Sequence, residues 1–374
     1  MAENSTGKVA VVFGTRPEII KLAPVLRALG EDGEAVFTGQ HYDPELTDAV
    51  FRSCGLPSVA PAVTGVGGGS RAGQVATMVD QLSSLFARTR PRAVVVQGDT
   101  NTTNAGAQAG HYLGIPVVHV EAGLRSHDRA MPEETNRLLV SALADVHCAA
   151  TPENARNLLD GAVPAGSVFV TGNPVVEAVT ALLPDEAETA RVLAGHGVAA
   201  GSVLATVHRP ENTDDPVRLR ALLDGLGRLG APVALPLHPR TRKALAAWGV
   251  DVPAAVRVLP PVDHRTFLAF ARSASLLVSD SGGVQEEVTV LRKPLVVVRT
   301  STERPESVAA GFSVLSEPED LVAHAGRMLS AESLARIATT ASPYGDGLAS
   351  QRIAQLAVGE VPAPPAVWMS AQFS

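Results

Sequence analysis

Carboxylates and histidines stand where apolar runs of this chain end. Asp99 closes "VVVQGD" and Glu121 closes "IPVVHV", while His208 follows "LATV" and His238 follows "ALPL". Glu133 and Glu134 return in "MPEETNR", the end of the stretch "HVEAGLRSHDRAMPEETNR" that also holds Arg125, Asp128, Arg129 and Arg137. Acids held close together in a partly dry site resist ionisation, and a group so tuned can move protons near neutral pH. An ordinary structural reading competes. Helix N-capping would account for Asp99 and Glu133, and isolated histidines are commonly just satisfied polar residues. Capping fits Glu121 less well, because Ala-Gly follows it rather than a helix start. No HExxH and no zinc-type Cys/His spacing occurs, so no metal is expected.

A second chemistry, anion binding, is written in "VSDSGGVQEEV" (278–288). A strand ends at Asp280, and Ser281-Gly282-Gly283 then opens a helix. Glycine lets a phosphate approach backbone N–H groups at the positive end of the helix dipole, and the Ser281 hydroxyl adds a donor. Glu286 and Glu287 suit a first helical turn with or without a ligand. The tripeptide Arg-Pro-Glu recurs at Arg16-Pro17-Glu18, Arg209-Pro210-Glu211 and Arg304-Pro305-Glu306, each shortly after an apolar run. Helix grammar explains Pro and Glu there, but not Arg beside a positive helix end unless an anion joins it. Neither GxGxxG after the first strand nor a Walker A sequence is present, which argues against a dinucleotide or ATP γ-phosphate site.

Short Val/Ala/Ile-rich runs must position these groups: 8–14, 34–39, 92–98, 115–120, 145–150 and 167–172, then 202–207, 232–237, 256–260, 274–280 and 294–298. Runs of this kind suit parallel strands buried on both faces. Helical patterns such as 17–29 and 72–88 separate them, and the glycine-rich loop 61–70 precedes the second. The alternation predicts an α/β protein with two Rossmann-like domains, the first ending near residue 172 at a hinge about 171–179. With 374 residues and 45% hydrophobic content, two cores can be buried. Aromatics at 4%, a net charge of −7 with histidines neutral, and the lack of any Lys/Arg block exclude the usual nucleic-acid binders. Two cysteines, Cys54 and Cys148, fit a reduced protein. No run approaches 18 apolar residues and the polar start "MAENSTGK" is unlike a secretion signal, so a soluble cytoplasmic protein with no membrane partner is expected.

The motifs "GTRPEIIKLAPV", "TGQHYD", "QGDTNTT", "HVEAGLRS", "MPEETNR", "VHRPEN", "DSGGVQEE" and "RTSTERPE" run in order from about residue 13 to residue 311. Together they resemble the bacterial and archaeal non-hydrolysing UDP-N-acetylglucosamine 2-epimerases. The resemblance implies two Rossmann-like domains of GT-B type, a substrate in the interdomain cleft, and a C-terminal helix, about 352–374, returning to the first domain. It implies acid/base roles for Asp99, Glu121 and Glu133 and a catalytic role for His208. Arg16, Ser281, Gly282, Gly283 and Arg304 would hold UDP phosphates and Glu287 the ribose hydroxyls. Phe267 would lie by the uracil, and Lys21 near the reacting sugar.

The implied reaction interconverts UDP-GlcNAc and UDP-ManNAc through elimination and re-addition of UDP, with a 2-acetamidoglucal between. It needs neither cofactor nor metal, and the resemblance implies a homodimer. Many bacterial members carry a regulatory UDP-GlcNAc site. Here Gln40 and His238 match it, but Asp43 and Gly73 replace an expected Gln and Arg, with Arg71 nearby, so a remnant site and hyperbolic kinetics are expected. A hydrolysing epimerase, a GT-B glycosyltransferase and an inactive UDP-sugar-binding protein are the alternatives.

Overall fold

The structure, a computed structural model, describes residues 7–40, 44–129 and 131–362. These form two compact units: residues up to Ala181 together with those from Tyr344 onward, and Leu182–Pro343. The first unit holds strands β1 (Val9–Phe13), β2 (Gly33–Phe37), β3 (Ala93–Gln97), β4 (Val117–Ala122), β5 (Val146–Ala149) and β6 (Val168–Val170) in the order β2-β1-β3-β4-β5-β6. The second holds β7 (Val203–Thr206), β8 (Val233–Pro236), β9 (Val256–Leu259), β10 (Leu276–Ser279), β11 (Leu295–Val297) and β12 (Ser313–Leu315) in the order β12-β11-β10-β7-β8-β9. Both sheets are parallel throughout.

This is the two-Rossmann-unit fold class of the GT-B type expected from the sequence. Central strands such as β1, β3 and β10 are buried along their whole length, because helices cover both faces of the sheet. Edge strands relax that demand: in β9, Arg257 and Val258 are exposed. The short β12 was not among the expected strands. Its three residues, next to the breaking sequence "SEPED", are too few for a periodic signal.

The direction of strand order reverses between β1 and β3 in the first sheet and between β7 and β10 in the second. At such switch points the loops leaving two neighbouring strands diverge to opposite faces, and the gap they open is where α/β sheets bind ligands. Asp99 follows β3, and His208 and Asp280 follow β7 and β10. In the first unit the helix Asn101–Tyr112 can lie close over the sheet because Gly106 has no side chain. A Cβ there would meet Val96 Cγ1 at 2.8 Å.

The unit boundaries fall at 181/182 and 343/344, not at 172/173 and 351/352 as the sequence suggested. Hydrogen bonds explain the shift. Asn173 N–H donates to the Tyr344 carbonyl (2.8 Å), and Ser350 N–H donates to Glu177 Oε1 (2.7 Å). The segment from Tyr344 is thereby part of the first core. It continues into the helix Ala349–Ala357, shorter than the expected 352–374, which packs on the helix Arg16–Leu29. Residues 363–374 lie outside the described residues.

Arg352 locks this segment. Its guanidinium donates to both Asp346 oxygens (2.7 and 2.8 Å) and to the Thr171 carbonyl (3.2 Å), with Arg352 buried. Asp346→Ala, which removes an exposed carboxylate from a buried guanidinium that keeps the Thr171 carbonyl, should destabilise the first unit by about 1 kcal/mol at pH 7, read as a lower urea midpoint. The Asp346 carboxyl is held below its ordinary range chiefly by the Arg352 hydrogen bonds. Its contribution is therefore complete above about pH 4 and lost as the pH falls through the lowered value. Wild type and variant should converge in acid. Equal midpoints at pH 7 would contradict the assignment.

Candidate functional site

In the first unit the carboxyl ends of β3 and β4 carry the acids. Glu121 is the extra residue of a bulge, where the pairing of β4 with β5 shifts register between Val120 and Ala122. Its φ is +63°, a left-handed conformation that costs a non-glycine residue about 1–3 kcal/mol. The buried carboxylate is gripped from two sides. Lys21 Nζ, from the helix Arg16–Leu29, donates to Oε2 at 2.8 Å, and Gln97 Nε2 donates to the same oxygen. Beneath it His119 bonds the Gly98 carbonyl through Nε2 (2.8 Å). Burial lowers its pKa to about 3, so the ring is neutral.

Asp99 accepts Arg137 Nε at 2.9 Å and Nη2 at 2.6 Å, both on Oδ2, and its side chain remains a quarter exposed. Neither Asp99 nor Glu133 caps a helix. Thr100 caps the helix Asn101–Tyr112, and the helix Pro132–Leu143 starts after Met131 without a side-chain cap. The capping explanation for these two acids therefore fails. Glu133 is half-buried in the first helical turn.

The other charges of "HVEAGLRSHDRAMPEETNR" form a brace. Glu134 accepts from Ser126 N–H (2.9 Å) and hydroxyl (3.0 Å), His127 N–H (3.2 Å) and Arg137 Nη1 (2.8 Å). Burial would push the Glu134 pKa up, but the Ser126 and Arg137 hydrogen bonds outweigh it and hold it below the ordinary value. Arg125 reaches Ser141 Oγ at 3.0 Å. Glu134 and Arg137 thus join the loop to Asp99.

Glu18 was noticed in sequence only as first-turn grammar. It is fully buried, accepting Gly14 and Thr15 N–H (2.9 and 2.8 Å) and the hydroxyls of Thr100 (2.7 Å) and Thr103 (3.2 Å). It ties the loop after β1, which carries the exposed Arg16, to the loop after β3, which carries Asp99.

In the second unit His208 and the helix Gly282–Leu291 face the switch point. Asp280, completely buried, accepts the backbone N–H groups of His208 and Arg209 and the Asn212 amide. Its Oδ1 also lies 3.3 Å from His208 Nδ1. Burial, aided by Arg209, Arg240 and Arg299, lowers the His208 pKa against the pull of Asp280. A neutral ring with Nδ1–H toward Asp280 leaves Nε2 as the reactive nitrogen.

Arg304 lies across the helix start because residue 282 is glycine: a Cβ there would be 2.4 Å from Arg304 Nη1. Its Nε donates to Glu286 (2.7 Å) and its Nη1 to Glu303 (2.7 Å). Glu303 also accepts Arg299 Nη1 (2.7 Å), with Arg209 Nη2 at 3.7 Å. Burial raises the Glu303 pKa, but the three guanidiniums outweigh it and drive it far below the carboxylate range. Arg209, Arg299 and Arg304 thus converge on Glu303 beside the amino end of a helix, where guanidinium and backbone N–H groups can meet an anion together. Arg299 Nε and Arg209 Nε are buried without an acceptor. Ser281 N–H donates to Ser279 Oγ (3.0 Å), and the Ser281 hydroxyl caps nothing. A Cβ on Gly283 would meet only Ser281 Oγ, at 3.9 Å. On the same helix Glu287 accepts from His264 Nε2 at 2.9 Å, with Phe267 stacked on His264.

The model of the UDP-N-acetylglucosamine 2-epimerase family matches residues 27–357. The chain belongs to this family. The Methanocaldococcus jannaschii UDP-N-acetylglucosamine 2-epimerase is 34% identical over 365 residues, covering 93% of this chain and 98% of that enzyme. The Pseudomonas aeruginosa UDP-2,3-diacetamido-2,3-dideoxy-D-glucuronate 2-epimerase is 34% identical over 356 residues, covering 93% and 98%. The crystal structure of the M. jannaschii epimerase in complex with UDP-GlcNAc and UDP matches with a TM-score of 0.84 at 34% identity, covering 93% of this chain and 99% of that one.

The residues matched to the epimerases' regulatory site divide between the units. Gln40 accepts Thr102 N–H and hydroxyl (both 2.9 Å), and Arg71, exposed, opens the helix Arg71–Thr89. Arg71 borders a groove of about 890 Å³ with Val75, Asn101, Asn136 and Leu139. Gly73 donates its N–H to the capping Ser70. His238 caps the helix Pro239–Trp248 in the second unit, its ring 5.2 Å from that of His208. Asp43 lies outside the described residues. Among the described residues no cluster of three His, Cys, Asp or Glu could hold a metal ion, and no helix is long and apolar enough to cross a membrane.

Sequence reading had singled out Arg209 but missed Glu303, Arg299 and His264. The signal for Glu303 was its place directly before the third Arg-Pro-Glu. Glu303→Gln should destabilise the second unit by about 3 kcal/mol, because it leaves buried guanidiniums without their shared counter-charge. An unchanged thermal or urea midpoint would show that they do not depend on it.

Proposed function

We propose that this chain is a non-hydrolysing 2-epimerase interconverting UDP-GlcNAc and UDP-ManNAc. The observation that carries the reading is Glu121. A strained backbone at the end of a central strand, with Lys21 and Gln97 aiming one carboxylate, is retained where the position of that carboxylate matters. Asp99 beside it on the neighbouring strand supplies a second acid, and the arginine-rich helix start supplies the anion site.

The C2–H of an N-acetylhexosamine has no adjacent carbonyl to acidify it. As the C1–O bond to UDP breaks, its electron pair passes to the β-phosphate oxygen, and the positive charge developing at C1 acidifies C2–H. One carboxylate of the Asp99, Glu121 and Glu133 set takes the proton, and the C–H pair becomes the C1–C2 double bond of 2-acetamidoglucal. A second acid returns a proton to the opposite face of C2, and the β-phosphate oxygen rejoins C1. No atom is gained or lost, and no oxidation state changes overall.

Arg16, Arg304 and the helix start at Ser281 to Gly283 would stabilise the leaving diphosphate, and His208 would donate to it through Nε2 when that nitrogen carries a proton, the imidazolium so formed being paired with Asp280. Lys21 keeps Glu121 aimed at the sugar. Glu287 would take the ribose hydroxyls, with Phe267 beside the uracil. The 34% identity to UDP-N-acetylglucosamine 2-epimerases across nearly the whole chain supports this assignment of substrate.

Incubation with UDP-GlcNAc in D2O, followed by NMR, should yield UDP-ManNAc with deuterium at C2. Accumulation of free ManNAc and UDP would establish the hydrolysing reaction instead, and complete retention of the original hydrogen would rule out exchange through a carboxylic acid. Asp99→Asn, Glu121→Gln and Glu133→Gln should each lower kcat by about 10²–10⁴ while the protein stays folded. Near-normal turnover in all three would sink the mechanism.

A further inference from the structure

Glu287 sits five residues beyond Gly282 on the helix Gly282–Leu291, about 7–8 Å along the axis from the end that presents N–H groups to an anion. That separation suits the ribose of a nucleotide whose phosphates rest at the helix start, and a carboxylate is the usual acceptor for ribose hydroxyls in folds of this kind. The Glu287 side chain is 14% exposed and is not left to itself: His264 Nε2 lies 2.9 Å from Oε1. His264 begins the neighbouring helix His264–Ser273, and its ring lies parallel to Phe267, with centroids 6.3 Å apart and planes 13° from each other.

Two features argue that His264 serves Glu287 rather than the fold at large. Its Nδ1 is buried without a partner, a cost that a residue kept only for stability would not retain. Asp263, the adjacent acid, is spent on capping: it accepts Thr266 N–H and hydroxyl, both at 2.9 Å. On the packed helix Glu186–His196, Glu188 is taken by Arg265 (2.6 Å) and Glu186 by Arg272 (3.6 Å). Burial alone would lower the His264 pKa, but the Glu287 charge and hydrogen bond outweigh it and raise it, so a charge-assisted bond is favoured.

We propose that His264 is a positioning residue for nucleotide binding: its Nε2–H, steered by the ring packed on Phe267, pins the Glu287 carboxylate in the orientation that receives the ribose hydroxyls. The inference rests on the reading of this unit as a UDP site. A glutamate held in one rotamer before the ligand arrives spares the cost of ordering it on binding, and fixing one such side chain is worth about 3–10-fold in affinity.

Calorimetric titration of the full chain with UDP and with 2′,3′-dideoxy-UDP tests this. In His264→Phe, UDP affinity should fall about 3–10-fold and dideoxy-UDP affinity by less than about twofold, since the analogue has no hydroxyls for Glu287 to receive. His264→Gln, which restores an N–H near the Nε2 position, should recover most of the UDP affinity and guards against misfolding of the Phe variant. In turnover, KM should rise with kcat unchanged. If wild type binds UDP more tightly than the analogue but His264→Phe weakens both equally, or neither, the His264 proposal falls alone. If wild type does not bind UDP, or does not favour it over dideoxy-UDP, the reading of the site falls and this inference with it.

Discussion

Both sheets are parallel and covered by helices on each face, so a strand such as "VAVVF" has no side where a polar group could meet water. Reactive groups are confined to the ends of strands, and only a reversal of strand order opens room between neighbouring ends. Each sheet has one such reversal, and the candidate groups of each unit collect beside it. Arg16 and Asp99 follow the two strands of the first reversal, and His208 and Ser281 follow those of the second.

Confinement creates a second demand. Charges brought to these ends are partly or wholly removed from water, and an unpaired buried charge is expensive. The structure meets that demand by sharing. Arg137 bridges Asp99 and Glu134, Lys21 answers Glu121, and Glu303 gathers Arg209, Arg299 and Arg304. Sharing fixes direction as well as charge. A carboxylate held by a guanidinium has one orientation, and preorganised groups of this kind stabilise charge as it develops without waiting for solvent to rearrange. The crowd of charges after β4 is therefore a frame for the acids, most of whose members need not touch a substrate.

The backbone contributes in the same sense. The bulge at Glu121 spends conformational energy to turn one side chain, and its neighbour His119 is kept neutral by burial, so it adds no charge beneath the acid. Gly282 is required for a different reason, the passage of Arg304 across the helix start. One residue needs a backbone that its type disfavours, and the other needs the absence of a side chain. Both serve the placement of a charged group a few ångströms away.

Sequence alone determined the architecture and which candidate groups stand at the ends of strands. Of the twelve strands among the described residues eleven were legible, because a strand in a helix-covered parallel sheet is a run rich in small apolar residues and its end is marked by polar ones. The strand-end acids, the histidine after β7 and the Ser-Gly-Gly helix start were legible for the same reason. The pairings were not. Lys21 and Glu121 are 100 residues apart, Asp99 and Arg137 38, and His264 and Glu287 23. Nor could the sequence place Tyr344 onward in the first unit with its correct boundary, since that depends on one carbonyl meeting Asn173. Periodicity is a local property, fixed by which faces of an element are covered. The choice of partner for a buried charge is made only when packing brings distant segments within hydrogen-bond reach, and no local pattern records it.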